Sequence, residues 1–414
     1  MASLFHPQIA NLLGIITLAI WLHLFFGRAW FWRVRGLDAD RHAPKEPEKW
    51  PSVAVVVPAR NEAETIAQSI VRLALQNYPG QFSVTLVDDH STDATCEIAH
   101  QASAQQGASA HLTILSASDL PQGWTGKLWA LNEGVTSGEA SSQTQTPCAH
   151  SAVGIHSGLA ARAQPPDFYW FTDADIAHAP DVLRNLVART EQGNLDLTSL
   201  MVMLQAHTLP ERALIPAFLY FFLMLYPPGW IADEDLATAG AAGGCILLKR
   251  SALERIGGLA SIRGEVIDDC ALAEAIKSTG GKVWLGLTRK STSLRAYKTF
   301  GEIRDLIART AFTQLRYSSL ILAGTLAGML LTYVAPVARL FAHDSTARLL
   351  GATAWLLMTL SFLPTFRFYR LSWLWAPLLP LTALFYTYAT WLSAFRYWLG
   401  KGGQWKGRAQ AQRT

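Results

Sequence analysis

The sequence predicts an α/β domain, a mainly parallel sheet with flanking helices, joined to transmembrane helices. Three observations carry this. Apolar strand-like runs alternate with helical patterns through the middle of the chain. Acidic clusters recur at the ends of those runs. Half of the 414 residues are hydrophobic, only 16% are charged and there are 15 Trp, which is too apolar for an ordinary soluble enzyme.

The first element is residues 8–26, "QIANLLGIITLAIWLHLFF", a nearly uncharged stretch close to the ~20 residues that cross a bilayer. Arg28, Arg33 and Arg35 come directly after it. A cleaved signal would carry its positive charge first and end in small residues. This is therefore an uncleaved anchor, residues 1–45 with its linker, with the positive flank and everything after it in the cytoplasm.

"SVAVVVPARNEAETIAQSIVRLALQ" reads as a buried strand ending at Pro58, a loop, and a helix with Ile66, Ile70, Leu73 and Leu75 on or near one face. "FSVTLVDDHSTDAT" gives a second strand, an acidic loop and a helix capped by Ser91 or Thr92. A third strand near "HLTILSA" leads into "GWTGKLWALNEG". Residues 137–166 are small, polar and unpatterned, a mobile surface insertion without chemistry.

The fourth strand, "FYWFTDADIAHAP", ends on Asp173 and Asp175. Strand alternation puts both carboxylates on one face, where they repel unless a cation or water separates them. The next helix starts at Pro180, so both acids come too early to cap it. Ligands of parallel sheets sit beyond the carboxyl ends of the strands, and Pro58 to Glu62, Asp88 with Asp89, and Asp173 with Asp175 all fall there.

Residues 213–230, "ALIPAFLYFFLMLYPPGW", are apolar but interrupted by Pro. They lie at the membrane interface or pack in the domain, since a single crossing would separate the acids on either side of them. Stretches at 318–341, 349–365 and 371–394 complete a C-terminal membrane region, 318–396, before a basic tail, 397–414. Four crossings would leave that tail outside, against the positive-inside tendency. A re-entrant stretch would resolve this and bring Trp405 to Arg408 near the site.

Cys96, Cys148, Cys245 and Cys270 lack zinc or disulfide spacing, which suits a reducing compartment. The net charge of +4 is accounted for by membrane-flanking Arg and Lys and gives no nucleic-acid footprint.

In order, "VVVPARNE", "LVDDHSTDAT", "GWTGKLWALNEG", "FTDAD", "AAGGCILLKRSALERIGG" and "VIDDCALA" resemble a membrane-bound family 2 glycosyltransferase of the GT-A fold, a Rossmann-like domain, here residues 46–317. The flavour is that of hopene-associated and ceramide glucosyltransferase-like proteins. The resemblance implies a nucleotide-diphosphate sugar, usually UDP-linked, with Pro58, Ala59, Glu62 and Asp89 at the nucleoside. Asp173 and Asp175 match the DxD that holds Mg²⁺ or Mn²⁺ and the donor, and Lys127 would meet phosphate or sugar. Read without the family, Glu62 is a first-turn acid on a helix dipole, Lys127 a solvated side chain, and Asp268 with Asp269 a helix cap. The family's corresponding pair ends in the general base, which maps to Asp269.

Processive relatives carry QxxRW. This chain has "TQLRY", with Thr313, Arg316 and Tyr317 in the corresponding places. Arg316 or Arg309 could still bind diphosphate, while the missing Gln and Trp favour one sugar added once. The acceptor implied is a membrane lipid alcohol, a hopanoid first, then a ceramide-like, carotenoid or polyprenyl lipid, at a bacterial inner membrane with the catalytic domain in the cytoplasm. The rivals are a processive polysaccharide synthase and a non-catalytic nucleotide-binding scaffold.

Overall fold

The computed structural model describes residues 7–107, 111–137, 165–402, 404–405 and 408–409. The insertion expected at 137–166 lies, apart from its ends, outside the described residues, as do Cys148 and part of the Trp405 to Arg408 segment.

Eight strands form one sheet: β1 (Val53–Ala59), β2 (Phe82–Asp88), β3 (Leu112–Ser116), β4 (Phe168–Phe171), β5 (Ile176–His178), β6 (Leu197–Met203), β7 (Ile246–Lys249) and β8 (Val283–Ser293). Their order is β3-β2-β1-β4-β7-β6-β8-β5. The β3-β2-β1-β4 half is parallel, as the strand–helix alternation predicts. In the other half β7 runs antiparallel to both β4 and β6, and β5 antiparallel to β8. The sheet is therefore mixed, because β7 is inserted against the direction of its neighbours. β4, β6 and β8 still share one direction, so their carboxyl ends reach the same edge.

All seven residues of β1 are buried, as expected for an apolar run covered on both faces. Val53, Val55 and Val57 pack under the helix Ile66–Ala74, while Ala54 and Val56 face the helix Gly126–Ser137. Ile66, Ile70 and Leu73 are fully buried, each contributing about 1.5–3 kcal/mol of transfer free energy. Leu75 departs from the expected face: it is the residue after the helix and is exposed. On the other face Gly134 allows close approach, since a Cβ there would lie 2.3 Å from Val56 Cγ1.

Two helix starts differ from expectation. The second helix begins at Thr95, with Ala94 at the cap position and no side-chain bond there, and Asp93 rather than Ser91 or Thr92 accepts the Thr95 N–H, at 3.1 Å. The helix after β5 begins at Val182, with Pro180 in the preceding turn.

The apolar 213–230 stretch is mostly the helix Leu209–Leu225, which packs within the fold between the sheet and the C-terminal helices. Tyr220 meets Ser361 Oγ at 2.8 Å, and Tyr386 donates to the Leu214 carbonyl at 3.0 Å. A capping box starts this helix. The buried Glu211 carboxylate accepts N–H groups of His207, Thr208 and Tyr297 at 2.9, 2.9 and 2.7 Å. Burial alone would raise its pKa, but these donors outweigh it and hold the pKa below the usual range. Glu211→Ala should thus lose about 1–3 kcal/mol, read by thermal unfolding. The parent's advantage should fade as pH falls through the carboxylate range, since a depressed folded pKa stabilises only while the group stays ionised.

Among the described residues, three helices are long and apolar enough to cross a membrane: Ser319–Arg339, Ser345–Tyr369 and Trp373–Trp398. The first contains a π-helical turn at Leu330–Val334. The N-terminal helix Pro7–Leu22 joins this bundle. Gly14 packs on Leu350, where a Cβ would come within 3.0 Å of Leu350 Cδ1, and Trp21 Nε1 donates to the Thr332 carbonyl at 2.7 Å.

Candidate active site

β4 stops at Phe171, so Asp173 and Asp175 stand in the turn before β5 rather than on one strand face. Each acid has its own cation. Lys127 Nζ is 3.0 Å from Asp173 Oδ1, and Arg295 Nε is 3.2 Å from Asp175 Oδ2. The repulsion that sequence spacing predicts is thus relieved within the protein itself. Behind the turn, buried His178 and Thr172 meet at 2.8 Å, while Thr172 Oγ1 donates to the Gly244 carbonyl. With the hydroxyl proton so used, His178 Nε2–H donates to Thr172 and Nδ1 accepts from Ser291 Oγ. Burial depresses the imidazole pKa to about 3, so this link is neutral.

Lys127 is in the first turn of the helix Gly126–Ser137, where the helix dipole disfavours a cation. Carboxylates compensate: its ammonium also lies 3.1 Å from Asp268 Oδ2. Burial would lower the Lys127 pKa, but Asp173, Asp268 and Asp269 together hold it above its ordinary value. Asp268 and Asp269 occupy the first turn of the helix Asp268–Ser278. Asp269 Oδ2 accepts the Gly243 N–H and Oδ1 its neighbour Cys270 N–H, both at 2.8 Å. Burial first, and Asp268 second, push the Asp269 pKa up to about 6, with Lys127 and the two N–H groups opposing. Gly243 packs closely here: an added Cβ would come to 3.0 Å of Lys127 Nζ and 3.3 Å of Asp269 Oδ2, so those side-chain ends would have to give by a few tenths of an ångström.

Pro58, Lys127, Asp173, Gly243, Asp268 and Asp269 line one small cavity at the carboxyl edge of the sheet. Ala59 and Asp89 lie beside it at the ends of the first two strands, joined by the Asp89 N–H to the Ala59 carbonyl at 2.8 Å. The Asp89 carboxylate is buried against Arg60 and His90. Glu62 faces Arg295, whose Nη2 lies 3.1 and 3.2 Å from its two oxygens. Asp173 and Asp175 offer hard carboxylate oxygens that suit Mg²⁺ or Mn²⁺ once phosphate oxygens complete the shell. Among the described residues no group of three or more His, Cys, Asp or Glu is placed to hold a metal.

Arg316 stands apart from this cluster. It is exposed, in a left-handed turn (φ 51°), and no ion pair joins it to an acid among the described residues. Within the same segment, Gln314 Oε1 accepts from Tyr226 OH at 2.9 Å, and Tyr317 stacks on Tyr397 at 4.5 Å. Sequence reasoning missed Gln314, Gly243 and, above all, Arg295. The last had a signal, a basic residue just past β8 at the edge where β4 ends.

A family model described as glycosyl transferase family 21 matches residues 158–411, and one described as glycosyl transferase family 2 matches residues 54–137. No curated protein sequence matches the chain. Among solved structures, the mannosyltransferase PcManGT from Pyrobaculum calidifontis, in complex with GDP-Man and Mn²⁺, superposes with a TM-score of 0.56 at 18% identity. That match covers 93% of this chain and 99% of PcManGT. Glucosyl-3-phosphoglycerate synthase of M. tuberculosis gives 0.36 at 17% identity, over 64% of this chain and 80% of its own. S. aureus TarS gives 0.37 at 13%, over 77% and 44%. The mixed sheet with its flanking helices is that of a GT-A domain, here carried with membrane-length helices. With its model spanning residues 158–411, more than half of the chain, the protein belongs to glycosyl transferase family 21.

Proposed function

We propose that this glycosyltransferase moves one sugar from a UDP-linked donor to the hydroxyl of a membrane lipid, inverting the anomeric centre with the help of Mg²⁺ or Mn²⁺. The observation that carries the reading is the Lys127 bridge between Asp173 and Asp268, with Asp269 in the same cavity. It puts donor-binding and proton-accepting groups within one side chain's reach. Asp173 and Asp175 would hold the metal, which, when bound, neutralises charge on the departing diphosphate. Lys127 answers phosphate charge, and Pro58, Ala59, Glu62 and Asp89 receive the nucleoside. Arg316 reaches the diphosphate only by swinging in from its exposed turn.

Asp269 accepts the acceptor's hydroxyl proton as that oxygen bonds to the anomeric carbon. The bond from that carbon to the diphosphate breaks, and its electron pair leaves with the nucleotide. One displacement inverts the configuration, so no second nucleophile is required. The backbone N–H groups of Gly243 and Cys270 aim the carboxylate. Its raised pKa makes it a stronger base than an ordinary aspartate while leaving it mostly ionised at neutral pH.

The packing of the domain against membrane-length helices supports a lipid acceptor, and the hopene-associated likeness makes a hopanoid the first choice. The setting is a bacterial inner membrane with the catalytic domain in the cytoplasm. The test incubates purified protein with UDP-sugars, GDP-mannose and a total lipid extract, then weighs the products. A lipid carrying one added hexose is expected, lost on chelation and restored by Mn²⁺. A ladder of sugars would favour a processive synthase, and no sugar on any lipid would sink the reading.

A further inference from the structure

Arg295 grips Glu62, just past β1, with one nitrogen and Asp175, just past β4, with another. Its backbone is fixed. The Leu294 N–H donates to the Asp175 carbonyl at 2.7 Å, Gln205 donates to the carbonyls of Ser293 and Leu294, and the Tyr297 N–H is held by Glu211. The Arg295 side chain is about one-third exposed and its guanidinium ends a flexible stem, so it can leave Asp175 without the chain moving. Lys127 is placed likewise on Asp173.

A bare divalent cation approaching Asp175 must expel the guanidinium and then sit near it, like charge beside like charge. A cation that arrives with a diphosphate brings its own negative oxygens, which an Arg fork binds well. We propose that Arg295 is the resident counter-cation of Asp175, and that a divalent ion binds tightly here only together with a nucleoside diphosphate that takes over the guanidinium. This rests on the donor-site reading above and adds to it a gate: metal and nucleotide enter as one nearly neutral unit.

The full-length protein in detergent is titrated with Mn²⁺, free ion being read by electron paramagnetic resonance, with no nucleotide, with UDP and with GDP. Parent, Arg295→Gln and Arg295→Lys are compared. The parent should bind Mn²⁺ about tenfold more tightly with a nucleoside diphosphate present, the size of one charge-assisted pair. Arg295→Gln should bind Mn²⁺ alone more tightly than the parent and lose most of the nucleotide's gain, whereas Arg295→Lys should keep part of it. A tighter site in the Gln variant is a change that mere structural damage would not produce. Equal parent affinity with and without nucleotide overturns the gate while leaving the transferase reading intact, and so does a Gln variant that binds Mn²⁺ alone no better than the parent. A parent that binds neither UDP nor GDP, with or without Mn²⁺, overturns both.

Discussion

Asp269→Asn is expected to slow sugar transfer by about 10²–10⁴-fold, the range for removing a positioned general base, while donor binding stays close to that of the parent. The amide has a single accepting oxygen, so it keeps only one of the Gly243 and Cys270 N–H bonds that the two carboxylate oxygens take, and a melting-temperature measurement beside the rate separates that structural loss from the loss of the base. The pH dependence gives a second readout. With its pKa near 6, Asp269 acts as a base only when deprotonated, so the parent's kcat/KM should climb as pH rises through 6. That limb should vanish in the variant. The sign on stability is opposite: a carboxyl whose folded pKa is raised binds its proton more tightly in the native state, so its contribution falls as pH rises from about 4 to 6. Full activity in the Asn variant would remove Asp269 from the chemistry.

Lys127→Met should do damage of two kinds. The ammonium stands 3.0 and 3.1 Å from Asp173 and Asp268 with its side chain only 17% exposed. Its loss leaves three carboxylates facing one cavity without their cation. Breaking a mostly buried pair by deleting one partner costs about 3–5 kcal/mol, here towards the lower end because Asp173 is 37% exposed. A melting-temperature measurement reads that. The second effect is on Asp269, whose pKa Lys127 holds down. Without it, the rising limb of whatever activity remains should move above pH 6. A variant as stable as the parent with an unmoved limb would mean that the bridge is incidental.

Much of the fold was legible because its signals are local. β1 and β4 announce themselves as apolar runs, and both are buried throughout. The three membrane-length helices among the described residues match apolar stretches of the sequence. The antiparallel β7 was not legible, since "ILLK" reads alike in either direction and only its neighbours fix it. Helix starts shifted where no side chain caps the first turn: Ala94 and Asp181 hold the cap positions without a side-chain bond, and Asp93 engages the Thr95 N–H from just before the helix. In the site, spacing flagged Asp173 and Asp175, whereas Asp268 and Asp269 read as a helix cap and became candidates only through the family resemblance. Spacing could not say which cation each would meet, because Lys127 and Arg295 come from segments 46 and 120 residues away from Asp173 and Asp175 respectively. Ion pairs at that separation are written by topology, not by neighbours in sequence.

The helix Leu209–Leu225 bears on how this protein can be handled. Tyr220, Phe221, Phe362, Phe366 and Tyr386 belong to the same packed cluster as Ala54 and Val56 of the central strand. A gene truncated before Ser319 would strip the cover from that helix and present its aromatic rings to water. The severed fragment would clump, and in detergent the whole chain should melt in one transition instead of two.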